Sequence, residues 1–265
     1  MSDNTKSNDK IMELKTVQTG PFKTLIEALK EILTDANIEF TESFVKIITM
    51  DPTQTILVHL KLENFDSYFC KHKIFIGVNM LNFFKLIRTL TNNDALTLFI
   101  DKSNTNQLGI RIENGEKNSL TTYYLNLIEV NETTYQIPPA QFESIITMPS
   151  GEFNKICRDM INISEIIEIK SVGSQMIFSC NGEFACQETI IGETSNGLTF
   201  VKPTTQDNII QGYYNLKHLV LFTKCTNLCN SIELYMKNNF PIVIKFSVGS
   251  LGSLKLALAP KIEEE

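Results

Sequence analysis

Most of the chain alternates apolar and polar residues with a period of two, the pattern of strands with one face in a core. Val45-Lys-Ile-Ile-Thr-Met50, Leu57-Val-His-Leu-Lys-Leu62, Leu96-Thr-Leu-Phe-Ile100 and Ile242-Val-Ile-Lys-Phe246 are the clearest runs. Four segments switch to a helical period. In the first, Phe22, Leu25, Ile26, Leu29, Ile32 and Leu33 form one apolar stripe, with Lys23, Glu27, Lys30 and Thr34 on the other side. The second, residues 79–91, is expected to bury Leu81, Phe84 and Ile87 and to expose Lys85 and Arg88. The third, 150–163, packs Phe153, Ile156, Cys157 and Met160 and leaves Lys155 and Arg158 outside. The fourth, 215–226, packs Leu216, Leu219 and Val220 and exposes Lys217, His218 and Lys224.

These segments repeat. Gly20-x-Phe22 opens the first helix and Gly151-x-Phe153 the third, 131 residues later; Leu25, Ile26 and Leu29 match Ile156, Cys157 and Met160 at the same offset. Asn79-Met80 and Asn215-Leu216 stand 136 apart, as do Leu96 and Leu98 from Ile232 and Leu234. Two stretches with nearly one period indicate a tandem duplication, each half carrying two helices among many strands. Between the halves, residues 128–141 are polar, hold Pro138-Pro139 and show no sustained period, which reads as an extended surface connector. The expected organisation is α+β: a disordered leader over 1–10, an N-terminal domain over 11–127, the connector, and a C-terminal domain over 142–265.

At 265 residues the chain has room for two such domains, and 43% hydrophobic with 20% charged residues is ordinary globular composition. No apolar run reaches the length of a membrane span, and the polar start lacks the core of a signal peptide. The six cysteines lie mostly in apolar stretches, and Cys225 and Cys229 have no second Cys or His pair to complete a zinc set; no metal and no cofactor are expected. With His59, His72 and His218 alone, no phosphate-binding glycine loop and no nucleophile elbow, an enzyme is not indicated; Asp51 at a strand end reads as a turn residue.

The net charge of −6 argues at first against a nucleic-acid partner, but its distribution argues the other way. Lys23, Lys30, Lys85, Arg88, Lys155, Arg158, Lys217 and Lys224 occupy the exposed helix faces, where acids are few: Glu27, Glu31, Asp35 and Asp159. Any one pair could be an ordinary solvated face. All four helices sharing one sign within an acidic chain suggests a composite basic surface for phosphates, indifferent to base sequence. There is no tryptophan, and the aromatics follow core periodicity, so stacking on single strands is poorly supported and duplex DNA fits better.

Met148-Pro-Ser-Gly-Glu-Phe-Asn-Lys-Ile-Cys-Arg-Asp159 resembles the opening of the third helix in proliferating cell nuclear antigens, the eukaryotic-type DNA sliding clamps. Leu256-Ala-Leu-Ala-Pro-Lys-Ile-Glu263, Leu25-Ile-Glu-Ala-Leu-Lys30, Met50-Asp51, Phe65-Asp-Ser-Tyr68 and Gly77-Val-Asn79 are similar as well, so the resemblance runs from Ile11 to Glu263. It implies a ring-forming clamp fold, a head-to-tail homotrimer around double-stranded DNA that tethers DNA polymerase, with helices facing the DNA. The alternatives are a monomeric or dimeric processivity factor, or a subunit of a heterotrimeric checkpoint clamp. Thr24 departs, standing where the family often has a second lysine. For the clamp loader and other proteins carrying short interaction peptides, the resemblance implies a pocket at Met50, Leu57, Ile137, Pro138, Pro241, Ala259, Pro260 and Ile262. Ala257 replaces a usual Tyr there, and Tyr135 a smaller aliphatic residue. It also implies subunit contacts through edge strands at 121–126 and 186–191, with Tyr123, Leu125, Thr189 and Ile191. The lysine that relatives modify with ubiquitin aligns near Gly173, with Lys170 the nearest, so that switch is not carried over. The expected location is the nucleus for a cellular source, or the host nucleus or a cytoplasmic viral factory for a viral one.

Overall fold

The computed structural model describes residues 9–129, 135, 137, 139–204 and 208–261. In chain order the first half runs β1 (Lys10–Thr16), α1 (Thr19–Ile32), β2 (Asp35–Phe40), β3 (Val45–Met50), β4 (Ile56–Leu62), β5 (Ser67–Cys70), β6 (Ile74–Asn79), α2 (Met80–Ile87), β7 (Asp94–Asp101), β8 (Asn104–Asn114) and β9 (Ser119–Asn126). The second half repeats that order: β10 (Ser144–Pro149), α3 (Ser150–Met160), β11 (Ile166–Val172), β12 (Gln175–Asn181), β13 (Cys186–Gly192), β14 (Thr199–Lys202), β15 (Ile210–Asn215), α4 (Leu216–Phe222), β16 (Ser231–Met236), β17 (Ile242–Val248) and β18 (Gly252–Leu258). The starts of α1 and α3, and of α2 and α4, fall at the two offsets read from the sequence.

The pairing repeats too. β1 lies between β5 and β7, and β10 between β14 and β16; β2 lies between β3 and β6, and β11 between β12 and β15. All of these pairs are antiparallel. In β1, Met12 and Leu14 are buried while Glu13 and Lys15 are half-exposed, the alternation of a sheet with one covered face. The helices supply the cover. Phe22 of α1 meets Phe83 of α2 edge to face at 6.3 Å, and Leu25 and Leu29 have no exposure. Phe153, Cys157 and Met160 of α3 and Leu216, Leu219 and Phe222 of α4 are as deeply buried.

Equivalent side chains fix both helix pairs. The Thr19 hydroxyl donates to the Thr91 carbonyl at 2.7 Å, and the Ser150 hydroxyl to the Cys229 carbonyl at 2.6 Å, each tying a helix start to the loop beyond the second helix. Asn79 and Asn215 cap α2 and α4 through their side-chain oxygens. Burial pushes the thiols of Cys157 and Cys225 well above their ordinary range, as expected of cysteines that serve as small core hydrophobes.

Three details depart from the sequence reading. α2 buries Met80, Phe83 and Ile87, so Leu81 is 49% exposed and Phe84 half-exposed. Phe83 packs on Phe22 of α1, which turns the stripe one residue away from the one inferred from period alone. α4 ends at Phe222 and passes into a 3-10 turn, Thr223–Leu228, which buries Cys225 and keeps Lys224 outside; Val220 is only half-buried. β1 begins inside the expected leader, with the Lys102 amide donating to the Asp9 carbonyl at 2.8 Å; residues 1–8 lie outside the described part.

The chain forms two compact units. One contains the chain up to Thr49, His59–Tyr135 and Val248–Ser253; the other contains Met50–Val58, Gln136–Ser247 and the chain from Leu254. Two short segments, Met50–Val58 and Val248–Ser253, thus group with the opposite half of the chain.

Candidate nucleic-acid interface

Helix geometry decides which charges are available. On α1, Lys23 and Lys30 are half-exposed and already engaged. The Lys23 ammonium donates to the Leu90 carbonyl at 3.1 Å. Lys30 pairs with Glu31 and stands 5.0 Å over the Phe84 ring. Lys85 and Arg88 on α2 are exposed and, among the described residues, make no side-chain hydrogen bond or ion pair. The same holds for Lys155 and Arg158 on α3 and for Lys217 and Lys224 on and after α4. Neither α2 nor α4 contains an acidic residue.

On α3, Lys155 and Arg158 line a shallow groove with Gly151, Asn154, Asp159 and Asn162. The Asn154 side-chain oxygen is buried there without a hydrogen-bond partner among the described residues. Asn162 donates to the Arg158 carbonyl at 2.8 Å, finishing the helix end beneath the cations. All eight candidate cations therefore sit on helix surfaces, six of them uncommitted.

The strands named for subunit contacts both lie at sheet edges. β9 ends the order β5-β1-β7-β8-β9, and β13 ends the order β13-β12-β11-β15. On β9, Leu125 faces the core, Tyr123 is half-buried, and Leu120 and Tyr124 are 63% and 57% exposed. On β13, Thr189 and Ile191 are half-buried and Ile190 is 54% exposed. Period two forces this division. The residues named from the sequence lie on the covered face, and Tyr124 and Ile190 lie on the open one.

The described residues named for a partner peptide fall in the second compact unit, and none of them is buried. Met50, Leu57, Pro241 and Pro260 are half-exposed, while Ile137 and Ala259 are exposed. Pro138 and Ile262 lie outside the described residues. Asp51 holds the turn between Met50 and Leu57. Its carboxylate accepts from the amides of Thr55 and Ile56, each at 2.7 Å, and from Thr53. Burial alone would raise its pKa; these donors outweigh burial and hold the carboxyl below its ordinary value. Gln54 takes a positive φ of 56° within this turn. Asp51 is thus a turn residue, occupied by the backbone amides of its own turn and the Thr53 hydroxyl.

The likeness to known proteins covers both halves. Models of the proliferating cell nuclear antigen N-terminal domain and C-terminal domain match residues 11–135 and 136–261. A protein of Paramecium bursaria Chlorella virus 1 named probable DNA polymerase sliding clamp 1 is 35% identical over 256 residues, 94% of this chain and 97% of that protein. The chain belongs to the proliferating cell nuclear antigen family. The proliferating cell nuclear antigen of Chaetomium thermophilum is 29% identical over 262 residues, 96% of this chain and 100% of that protein. The α+β architecture, with four α-helices and antiparallel sheets among the described residues, is that of this clamp family.

Proposed function

We propose that three copies of this chain close head-to-tail into a ring around duplex DNA, β9 of one subunit pairing with β13 of the next. Membership of the clamp family makes the protein a DNA sliding clamp and DNA polymerase processivity factor, a scaffold without catalytic chemistry of its own. It associates with itself, with DNA and with DNA polymerase. The observation that carries the reading is the set of uncommitted cations on helices of both halves of an acidic chain. Cations of this kind attract phosphates without reading bases, which a protein that slides requires.

Ring closure draws support from the edge positions of β9 and β13. Pairing them in trans satisfies backbone groups that would otherwise invite aggregation, and repeating one heterologous contact by rotation closes a ring. The partner site we assign to Met50, Leu57, Ile137, Pro138, Pro241, Ala259, Pro260 and Ile262, as the dock for short peptides of the clamp loader and other replication proteins. Its workplace is replicating DNA, in a nucleus or a viral factory. Among the described residues no helix is long and apolar enough to cross a membrane.

Light scattering after size exclusion tests the assembly. The expected mass is about 90 kDa, three times the 30.1 kDa chain, and constant on dilution through the micromolar range. A steady 30 or 60 kDa would instead favour a monomeric or dimeric processivity factor.

A further inference from the structure

We infer that the two halves of the subunit hold DNA unequally: α3, α4 and the turn after α4 present four uncommitted cations, while α1 and α2 present two, set around a partly apolar contact. This inference rests on the reading that these helix faces meet duplex DNA.

The internal repeat makes the comparison residue by residue. At the α1/α3 offset, Lys155 and Arg158 stand where the first half has Thr24 and Glu27. At the α2/α4 offset, Lys217 stands where the first half has Leu81, and Lys224 where it has Arg88. Four cations thus face a threonine, a glutamate, a leucine and one arginine. Lys85 is an added charge of the first half, opposite Leu221 of the second. Lys23 and Lys30 do not restore the balance, because the first is folded onto the Leu90 carbonyl and the second onto Glu31 and Phe84. Glu27 is exposed beside them, as Asp159 is beside Lys155 and Arg158, so the difference lies in the uncommitted cations and not in the net charge of the helices.

Leu81 is no buried substitute for a lysine; half its surface is open. At about 100° per residue, Leu81, Phe84, Lys85 and Arg88 share one arc of about 100° on α2. An apolar pair is therefore framed by Lys85, Arg88 and the Lys30 ammonium over Phe84. A sugar–phosphate backbone complements that surface: its phosphates match the rim and its deoxyribose C–H edge matches Leu81. Apolar contact of this type releases no counterions, so it adds affinity without adding salt dependence.

The test is binding of the intact clamp to a short linear duplex, onto which a closed ring can thread from the end, across a series of salt concentrations. Removing one phosphate-binding cation should make the slope of log K against log salt shallower by about 0.9. Two variants remove four charges each: Lys155→Ala/Arg158→Ala/Lys217→Ala/Lys224→Ala, and Lys23→Ala/Lys30→Ala/Lys85→Ala/Arg88→Ala. The slope should fall about twice as far in the second-half variant as in the first-half one, a ratio that follows from the number of uncommitted cations. A third variant, Glu27→Arg/Leu81→Lys, installs second-half residues in the first half and should steepen the slope; both positions are exposed, so folding is not at stake. Leu81→Ser should weaken binding at every salt with the slope unchanged. Equal slope changes in the two charge-removal variants, or no steepening in the third, would overturn the unequal grip while leaving the DNA-facing surface intact. No slope change in any variant would overturn both this inference and the assignment of the surface.

Discussion

Phe22 in α1 and Phe153 in α3 occupy equivalent places, and both are buried to within a few per cent. So do Leu25 and Ile156, Leu29 and Met160, and the paired hydroxyls of Thr19 and Ser150. One turn outward the likeness stops: Glu27 answers Arg158 and Leu81 answers Lys217. Beneath the helices, a change of shape leaves a cavity or a clash, so both copies of the repeat keep the same packing. On the surface, exposed charges add little to folding, and the two copies are free to differ in what they attract.

The largest effects should come from the shared interior. Phe22→Ala and Phe153→Ala should each destabilise the fold by about 3–5 kcal/mol, measured by denaturant unfolding. If one were nearly silent, the two cores would not be equivalent. Assembly should respond next, because each half contributes one edge. Tyr124→Asp on β9 and Ile190→Asp on β13 should each shift the particle toward monomer in light scattering, by opposing a charge to the seam. Should only one of them matter, the contact pairs like edges and the head-to-tail arrangement fails.

Acid stability offers a smaller comparison. Glu39 and Asp94 in the first unit, and Asp51 and Glu233 in the second, all have carboxyls held below their ordinary values; burial opposes this, but lysine or backbone and side-chain donors prevail. Depressed folded-state pKa values stabilise the protein above the unfolded carboxylate range near pH 4, and that stabilisation disappears as pH falls through the folded values. Asp51→Asn should therefore cost about 2 kcal/mol at pH 7, with the difference shrinking toward pH 2. A difference independent of pH would mean that the turn needs the shape of Asp51 rather than its charge. The smallest effect belongs to the peptide site: Ile137→Ala should weaken a consensus clamp-interacting peptide by about 1 kcal/mol in calorimetry, while the equally exposed Phe69→Ala in the first unit should not.

The alternating strands, the buried stripe of α1 and the repeat itself were legible because period and offset are local or self-referring signals. α2 was not legible in phase. Its Met80-Leu-Asn-Phe-Phe-Lys-Leu-Ile87 has apolar residues on most sides, and the packing of Phe83 against Phe22 of α1, 61 residues away in the chain, shows which side is buried. The tethering of Lys23 by the Leu90 carbonyl depends on a contact 67 residues away, which no spacing rule announces. Tyr124 and Ile190 escaped because the edge strands could be recognised while the face turned to the helices could not. The exchanges of Glu27 for Arg158 and of Leu81 for Lys217, by contrast, stood in the sequence once the two offsets were applied to polar as well as apolar positions.

Encirclement is a topological link, and one measurement detects it directly. Clamp loaded onto nicked circular duplex DNA should co-elute with the circle in high salt, because an encircling ring needs no lasting contact to stay linked. Cutting the circle once should release the protein within minutes by sliding from the ends. Equal retention on circular and linear DNA, or loss from both as salt rises, would show a protein that binds DNA without encircling it, contradicting the account.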